Sequence, residues 1–258
     1  MLRACSIASG SRGNCLFVSS EQANILVDVG VDLKRLEMSL VVLGSVGAKL
    51  DGILITHSHN DHVSGLESLC KKYSVPVYCH AEIADKIGNI ICKTQSKVHP
   101  FEDIFFLKDI TVSPFLVKHD VHCVGYTLVS MTKQLSIATD MGQYTKDVID
   151  AMSGSDIVFV ESNYDEDMLK NGKYPEFLKK RVASHLGHLS NYECGNLVST
   201  LINNGTRQFV LSHLSQNNNY PELAYSSVVD RLKCLGIDNK DAKIEIAMQD
   251  RLSNLYQL

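Results

Sequence analysis

Four side chains of the kind that bind metal ions lie within six consecutive positions of this chain. The segment GILITHSHNDH covers residues 52–62, and its apolar first half predicts a buried strand. The polar residues that follow are His57, His59, Asp61 and His62. Residues two apart on an extended segment project to the same side, so His57 and His59 can converge on one ion. Asp61 and His62 begin the next helix and can turn toward a second ion.

The alternative for this segment is a polar turn in which Asp61 caps the helix and the histidines are solvated. Three histidines and an aspartate in six residues leave that alternative little room, because a structural histidine usually stands alone. Imidazole and carboxylate together suit Zn²⁺, Mn²⁺ or iron, whereas Ca²⁺ calls for oxygen ligands only. We therefore interpret the segment as a metal site.

Apolar strands alternate with helical segments along the whole chain. In the first half, the predicted strands span 2–7, 16–19, 24–28, 52–56 and 76–79. In the second half they span 110–117, 125–130, 135–138, 157–160 and 208–211. Helical spacing predicts helices at 33–43, 63–70, 145–152, 191–203 and 221–235. This order predicts an α/β (α+β) fold, in which two sheets pack face to face and helices cover them outside in an αββα layering.

The composition is that of a folded chain without a membrane segment. Apolar residues make up 45% and charged residues 21% of the 258 residues, as is usual in globular proteins. No linker rich in Pro, Gly or Ser separates the two halves, so we predict a single domain over 1–258. No apolar run approaches the roughly 18 residues that span a bilayer, and the first residues lack an apolar signal segment. We expect a cytoplasmic protein with no membrane partner.

The net charge of −4 differs from the strongly basic surface of a protein that grips duplex DNA through many phosphate contacts. Two bound divalent cations would add positive charge at the site itself, where it matters most. The charge therefore weakens a nucleic-acid interpretation without excluding it.

The eight cysteines lie in apolar or helical segments, and no two of them form a CxxC pair. Zinc ligation and disulfides are the alternatives. We expect buried thiols, because a free cysteine behaves as a small apolar side chain.

Residues 57–62 match the HxHxDH motif of the metallo-β-lactamase superfamily, and four further landmarks of that family follow the expected order. They are Asp28 in ILVDVG, His119 in FLVKHD, Asp140 in SIATDMG and His213 in FVLSHLS, each just after an apolar strand. The chain thus resembles a metallo-β-lactamase-fold hydrolase. The resemblance implies a four-layer αββα sandwich with two mixed β-sheets.

The same resemblance implies two divalent metal ions, Zn²⁺ or Mn²⁺ with iron as an option, bridged by a water or hydroxide. It places the first ion on His57, His59, His119 and Asp140. It places the second ion on Asp61, His62, Asp140 and His213. Asp28 is implied to hold the metal loop without binding metal. Taken alone, Asp140 and His213 are equally compatible with turn or helix-cap positions.

Two further features resemble the YycJ/WalJ-like group, which is related to the β-CASP nucleases. SGSRGN at 9–14 resembles that group's SGSxGN turn, where small residues let backbone amides approach a ligand; a plain hairpin turn is the alternative. Glu161 resembles the acidic motif of β-CASP enzymes, and His188 in GHLSN resembles their histidine motif. The interval 140–213 leaves no room for their inserted cap, so the predicted domain lacks one.

The candidate site residues follow from these motifs. The candidate catalytic residues are Asp61, Glu161 and His188, with His188 as general acid or phosphate ligand. The candidate substrate contacts are Ser11, Asn14, His185 and Asn191. Basic residues also cluster at 170–181, where they either meet a phosphate backbone or form a solvated helix face.

The resemblance implies a dinuclear metal-dependent hydrolase that cleaves phosphodiesters, with 5′-to-3′ exonuclease action on DNA as the closest expectation. A bridging hydroxide would attack the phosphorus of a DNA or RNA strand. The rival enzyme is a small-molecule hydrolase of a thioester, lactone or cyclic phosphodiester, which the acidic charge favours. A redox or regulatory binding module is a third option. The implied site argues against it, because one carboxylate is shared and positions remain for water. Monomer and dimer both stay open.

Overall fold

Two seven-stranded sheets form the frame of the protein, which the computed structural model describes over residues 1–238 and 240–258. The strands in these residues are β1 (Arg3–Ala8), β2 (Cys15–Ser19), β3 (Asn24–Val27), β4 (Gly52–Ile55), β5 (Val77–His80), β6 (Val98–Phe101), β7 (Phe105–Leu107), β8 (Ile110–Val117), β9 (Cys123–Ser130), β10 (Lys133–Ala138), β11 (Ile157–Glu161), β12 (Gln208–Ser212), β13 (Lys243–Ile246) and β14 (Tyr256–Gln257).

The helices of the described residues lie between and after these strands. They are α1 (Leu33–Val42), α2 (Asn60–Val63), α3 (Leu66–Tyr73), α4 (Ala84–Ile91), α5 (Lys146–Met152), α6 (Glu166–Asn171), α7 (Glu176–Val182), α8 (Asn191–Asn203) and α9 (Pro221–Cys234), with short 3-10 helices at Gly47–Lys49 and Ala81–Ile83. None of them has the length and apolarity that crossing a membrane requires.

The first sheet has the order β14-β1-β2-β3-β4-β5-β6. Its pairs are antiparallel from β14 to β3 and parallel from β3 to β6. In the parallel pair β3–β4, Val27 lies opposite Leu54. The residues that follow these two strands therefore meet at one edge of the sheet.

The second sheet has the order β13-β12-β11-β10-β9-β8-β7, and its strands β10 to β13 are parallel. Ala138 lies opposite Val160, and Glu161 lies opposite Ser212. The carboxyl ends of β10, β11 and β12 thus come together, which is where ligands bind in parallel sheets.

The chain forms two compact units, each with its own apolar core. The first unit is Met1–Pro114 with Leu128–Lys133 and Gln249–Leu258, and the second is Phe115–Thr127 with Gln134–Met248. The predicted single domain over 1–258 stays a prediction.

Every strand and helix predicted from the sequence is present, with bounds that differ by up to about three residues, the usual uncertainty of element ends. The segment predicted as one helix at 63–70 is divided between α2 and α3. Among the described residues, seven strands and α-helices were not predicted from the sequence, namely β6, β7, β13, β14, α4, α6 and α7, nor were the two 3-10 helices.

All eight cysteines are free thiols. Six are buried, but Cys92 and Cys234 are exposed, so the expectation of buried thiols is wrong for these two. Both lie at the carboxyl ends of helices, where the apolar face has ended. Burial raises the pKa of the Cys79 and Cys194 thiols to about 12, which keeps them protonated at neutral pH.

We predict that an aromatic disulfide reagent labels Cys92 and Cys234 rapidly in the folded protein, because only a reachable thiolate attacks it. The other six thiols should react after unfolding in urea. The double variant Cys92→Ser/Cys234→Ser is the control and should lose the rapid phase. A rapid phase that persists in this variant would contradict the burial of the six thiols.

We also predict that Phe209→Ala lowers the free energy of unfolding by about 3–5 kcal/mol, since this fully buried side chain of β12 lies in the core of the second unit. Phe106→Ala is the matched control, because Phe106 is 73% exposed and its loss should change stability by less than about 0.5 kcal/mol. Urea unfolding measures both values. Equal midpoints for the two variants would count against the described core.

Candidate metal centre

The first set of ligand-type residues belongs to the first unit and directly follows β4. The strand is fully buried, and His57 and His62 after it are also fully buried. The ring centroids of His57 and His59 lie 4.7 Å apart, and those of His57 and His62 lie 4.1 Å apart. Asp61 and His62 lie in α2, as the sequence predicted. The three imidazoles thus form one cluster.

A buried carboxylate orients this cluster. Asp28, which follows β3, accepts hydrogen bonds from the backbone amide of Thr56 at 2.9 Å and from its hydroxyl at 2.8 Å. Its Oδ2 also lies 2.7 Å from Nδ1 of His62. A carboxylate on one ring nitrogen fixes the tautomer and directs the other nitrogen toward a metal. Asp28 thus connects the end of β4 to the ring of His62.

Thr56 is a residue that the sequence analysis missed. Its hydroxyl lies 3.0 Å from Nδ1 of His57 and 3.3 Å from Nδ1 of His62. One side chain therefore connects Asp28 to both buried imidazoles. No motif marked this threonine, because a threonine at a strand end is common.

The turn at 9–14 packs against the same loop. The backbone amide of Asn14 donates to the carbonyl of Asp61 at 2.8 Å, and its side-chain Nδ2 lies 2.9 Å from Nε2 of His62. Asn14 is buried, whereas Ser11 is exposed. These contacts tie Asn14 to the loop that carries Asp61 and His62.

Gly30 shows how closely the loops approach. A Cβ atom at this position would lie 1.7 Å from the carbonyl oxygen of Asp61 and 2.6 Å from the amide nitrogen of Asn14. Only glycine allows this approach. The position of Asp61 in the cluster thus depends on Gly30, which has no side chain that could bind a ligand.

The second set of ligand-type residues lies in the second unit, around Asp140. This aspartate follows β10, and His213 directly follows β12. Oδ1 of Asp140 lies 3.6 Å from Nε2 of His213 and 4.0 Å from Nε2 of His119. All three side chains are buried. Carboxylate and imidazole atoms thus converge at the carboxyl edge of the parallel strands.

Glu161, at the end of β11, organises this second set. Its Oε1 lies 2.8 Å from Nδ1 of His188 and 2.9 Å from Nδ1 of His213. Its Oε2 accepts from the backbone amides of Met141 at 2.6 Å and Leu189 at 3.2 Å. Burial alone raises the pKa of Glu161, but the two histidines outweigh this effect and keep the pKa below its usual value. Glu161 is therefore an anion that positions two imidazoles.

His119 is held in place by a contact of its Nδ1 nitrogen with the backbone. Its Nδ1 lies 3.1 Å from the carbonyl oxygen of Gly187. Burial lowers the pKa of His119, an effect that Asp140 opposes. A neutral imidazole is the form that binds metal.

Three residues of the two sets have left-handed backbone conformations. The φ angles are 60° at Asp28, 58° at Asp140 and 57° at His213. Such conformations cost about 1–3 kcal/mol each for residues other than glycine and cluster at functional sites, with Asp, Asn and His the most tolerant. The strained backbone turns each side chain away from its strand, a feature that the sequence did not reveal.

The remaining substrate-contact candidates, Asn191 and His185, differ in their burial. Asn191 is buried, where its Oδ1 accepts from the Ser162 hydroxyl at 2.7 Å and its Nδ2 donates to Asn219 at 3.1 Å. These bonds give Asn191 a structural place. His185 is exposed. Asn163, which the sequence analysis missed, donates to the carbonyl oxygen of His213 at 2.7 Å.

A cavity of about 460 Å³ opens beside His119 in the second unit. Its lining includes the exposed side chains of Lys118 and Leu186, together with Asp120 and Thr145. Cavities that bind small molecules or parts of larger ones have this size. The ligand-type residue His119 is thus reachable from a space that one nucleotide or a small molecule can enter.

The donor chemistry of both sets suits a divalent metal ion. In the second unit, one ligand atom each from Asp140, Glu161, His188 and His213 lies within 4.8 Å of the others. His62 and His213 each face a carboxylate at Nδ1, as metal-binding histidines commonly do. The clusters thus support divalent metal binding, as the sequence analysis expected.

Comparison with known proteins agrees with these observations. A family model described as "Beta-lactamase superfamily domain" matches residues 23–214. Exodeoxyribonuclease YycJ of Bacillus anthracis is 34% identical over 227 residues, which are 86% of this chain and 86% of that protein. Exodeoxyribonuclease WalJ of Streptococcus pneumoniae serotype 2 is 31% identical over 232 residues, 88% of this chain and 86% of that protein.

A solved structure shows the same fold. The metallo-β-lactamase fold protein YhfI from Bacillus subtilis has a TM-score of 0.75 at 16% identity, covering 98% of this chain and 100% of that one. The predicted metallo-β-lactamase fold, with two mixed sheets and helices, is confirmed. The chain belongs to the beta-lactamase superfamily, within the group of YycJ and WalJ.

Proposed function

We propose that this protein is a cytoplasmic, divalent-metal-dependent nuclease that degrades DNA from the 5′ end. The proposal rests on the cluster of Asp140, Glu161, His188 and His213. In this cluster the buried carboxylate of Glu161 holds the ring of His188 beside the ligand-type residues. The curated relatives YycJ and WalJ are named exodeoxyribonucleases, and they support DNA as the substrate.

The proposal includes two divalent ions, Zn²⁺ or Mn²⁺ with iron as an option, with the ligands that the family resemblance implies. The first ion would take His57, His59, His119 and Asp140 as ligands. The second would take Asp61, His62, Asp140 and His213. When bound, such ions lower the pKa of coordinated water and neutralise the charge that grows on a phosphodiester.

His188 is the proposed general acid. Its Nδ1 faces the carboxylate of Glu161 at 2.8 Å, and its side chain is 23% exposed. The hydrogen bond fixes the ring, so that the other nitrogen can give a proton to the leaving oxygen. Glu161 is fully buried and acts through His188 and His213 without touching substrate.

Substrate contacts in the proposal come from exposed groups. Ser11 and His185 are exposed and can donate to phosphate oxygens. Asn14 and Asn191 position loops from the interior, since their side chains bond protein groups. The proposed domain spans 1–258 without a cap.

We predict that the purified protein, supplied with Mn²⁺ or Zn²⁺, shortens end-labelled DNA from one end and that Asp61→Ala abolishes this activity, because a proposed metal ligand is lost. Gel analysis of single-stranded and duplex DNA and RNA, labelled at either end, measures cleavage and its polarity. Asp85→Ala is the matched control, since Asp85 is an exposed residue of α4 and its loss should leave activity unchanged.

One outcome would contradict the nuclease, and another would contradict the proposed site. If no nucleic acid is cleaved with any metal but a bis-phosphodiester or thioester probe is turned over, the protein is a small-molecule hydrolase, which the net charge of −4 and the cavity beside His119 favour. Full activity in Asp61→Ala would contradict the proposed site.

We further predict that Glu161→Gln weakens metal binding by about 10- to 100-fold. The amide carries no charge and replaces one accepting oxygen by a donating NH2, so it cannot hold His188, His213 and the two backbone amides together. Competition with a chelating dye measures the affinity, and activity is compared at saturating metal. Glu102→Gln, at an exposed position, is the control. Unchanged metal affinity in Glu161→Gln would contradict its positioning role.

A further inference from the structure

A short helix of the second unit carries a large exposed aromatic side chain. On the inner side of α7, Val182 and Leu178 pack with Tyr164, Leu169 and Tyr174. On the outer side, Phe177 is 74% exposed. Residues three and four positions apart share a helix face, so Phe177, Lys180 and Arg181 lie together. We refer to these three residues as the α7 face. Lys173 is exposed in the segment before α7, four positions before Phe177.

The α7 face is basic in an acidic protein. Residues 170–181 contain five Lys or Arg and one Glu, whereas the whole chain has a net charge of −4. Two of these cations have partners, since Lys179 pairs with Glu176 and Arg181 pairs with Asp120. Their charges are partly neutralised.

Lys170, Lys173 and Lys180 differ from the two paired cations. All three are exposed, and within residues 1–238 and 240–258 they form no ion pair with a carboxylate. Their charge is therefore available to an anionic ligand.

The α7 face is connected to the proposed general acid through the backbone. The amide of His188 donates to the carbonyl oxygen of Val182, the last residue of α7, at 2.9 Å. A Cβ atom at Gly187 would lie 2.2 Å from the carbonyl oxygens of Arg181 and Val182. The turn that carries His188 is thus packed directly on the carboxyl end of α7. Phe177 lies five residues before Val182, about 7.5 Å along the helix axis.

We propose that the α7 face binds the single strand of DNA beside the scissile phosphate, with one base stacked on Phe177 and phosphates at Lys173 and Lys180. This inference rests on the proposed nuclease function. An aromatic side chain among unpaired cations is how proteins bind single strands without sequence preference, because every base has a face to stack and every nucleotide a phosphate. A duplex offers no unstacked base to Phe177.

Phe106 shows that exposure alone does not make such a surface. It is as exposed as Phe177, at 73% against 74%. Its neighbours in sequence include Glu102, Asp103 and Asp109. These carboxylates repel a phosphate backbone, and isolated exposed aromatic residues are normal on proteins. Phe106 therefore provides a matched control.

The test measures binding separately from cleavage. The full chain with Zn²⁺ is titrated into a fluorescein-labelled phosphorothioate single strand, which resists hydrolysis, over a series of salt concentrations. Phe177→Ala should weaken binding about tenfold and leave the salt dependence unchanged, since it removes one stacked base. Lys180→Gln should reduce the slope of log K against log salt by about 0.7, the value for one phosphate contact on a single strand. Phe106→Ala and Lys86→Gln, both at exposed positions, should bind as the unmodified protein does.

The inference is overturned if Phe177→Ala and Lys180→Gln bind the strand with unchanged affinity and salt slope, or if duplex DNA binds as tightly as the single strand. The proposed nuclease fails separately. A protein that binds the strand through the α7 face but releases no nucleotide from ordinary DNA would refute the nuclease and leave this surface in place.

Discussion

Parallel pairing in register is the constraint on which the second ligand set depends. Since β10, β11 and β12 pair in parallel, their carboxyl ends reach one edge, and Asp140, Glu161 and His213 occur at or just after those ends. A shift of one residue in any pair would turn the side chain at that strand end to the other face of the sheet. The pairing of the strands therefore makes these carboxylate and imidazole atoms converge. The loops only add further residues to the set.

Both units use the same electrostatic arrangement. Asp28 in the first and Glu161 in the second are buried carboxylates placed against Nδ1 of histidines. An isolated buried carboxylate would be strongly destabilising, and it is tolerated because several donors surround it. Asp28 receives the amide and hydroxyl of Thr56, and Glu161 receives two backbone amides. The same bonds that offset the cost of burial hold the imidazoles still.

Much of the fold could be predicted from the sequence because its long strands and helices have clear apolar periodicity. Most of the missed elements lack that signal: β6 contains a proline and two exposed positions, β7 has three residues, and α6 and α7 have six or seven. The exception is α4, whose buried residues Ile87 and Ile91 have helical spacing. Ligand-type residues could be predicted because HxHxDH and the later histidines and aspartates are rare side chains at strand ends.

Residues that act through hydrogen bonds were harder to predict. Thr56 and Asn163 carry no motif, and Asn14 and Asn191 could be assigned to loop positioning only from their burial and partners. The periodicity of the sequence also does not reveal the backbone conformation of single residues, such as those with positive φ angles.

The left-handed conformations at Asp28, Asp140 and His213 mean that each position is chosen for two properties at once, its side-chain chemistry and its tolerance of positive φ. Asparagine shares the second property and alanine does not. An alanine at Asp140 removes the carboxylate and also disfavours the turn, whereas an asparagine removes the charge and retains the turn. The backbone alone therefore limits these positions to a small set of residue types, whatever the side chain does chemically.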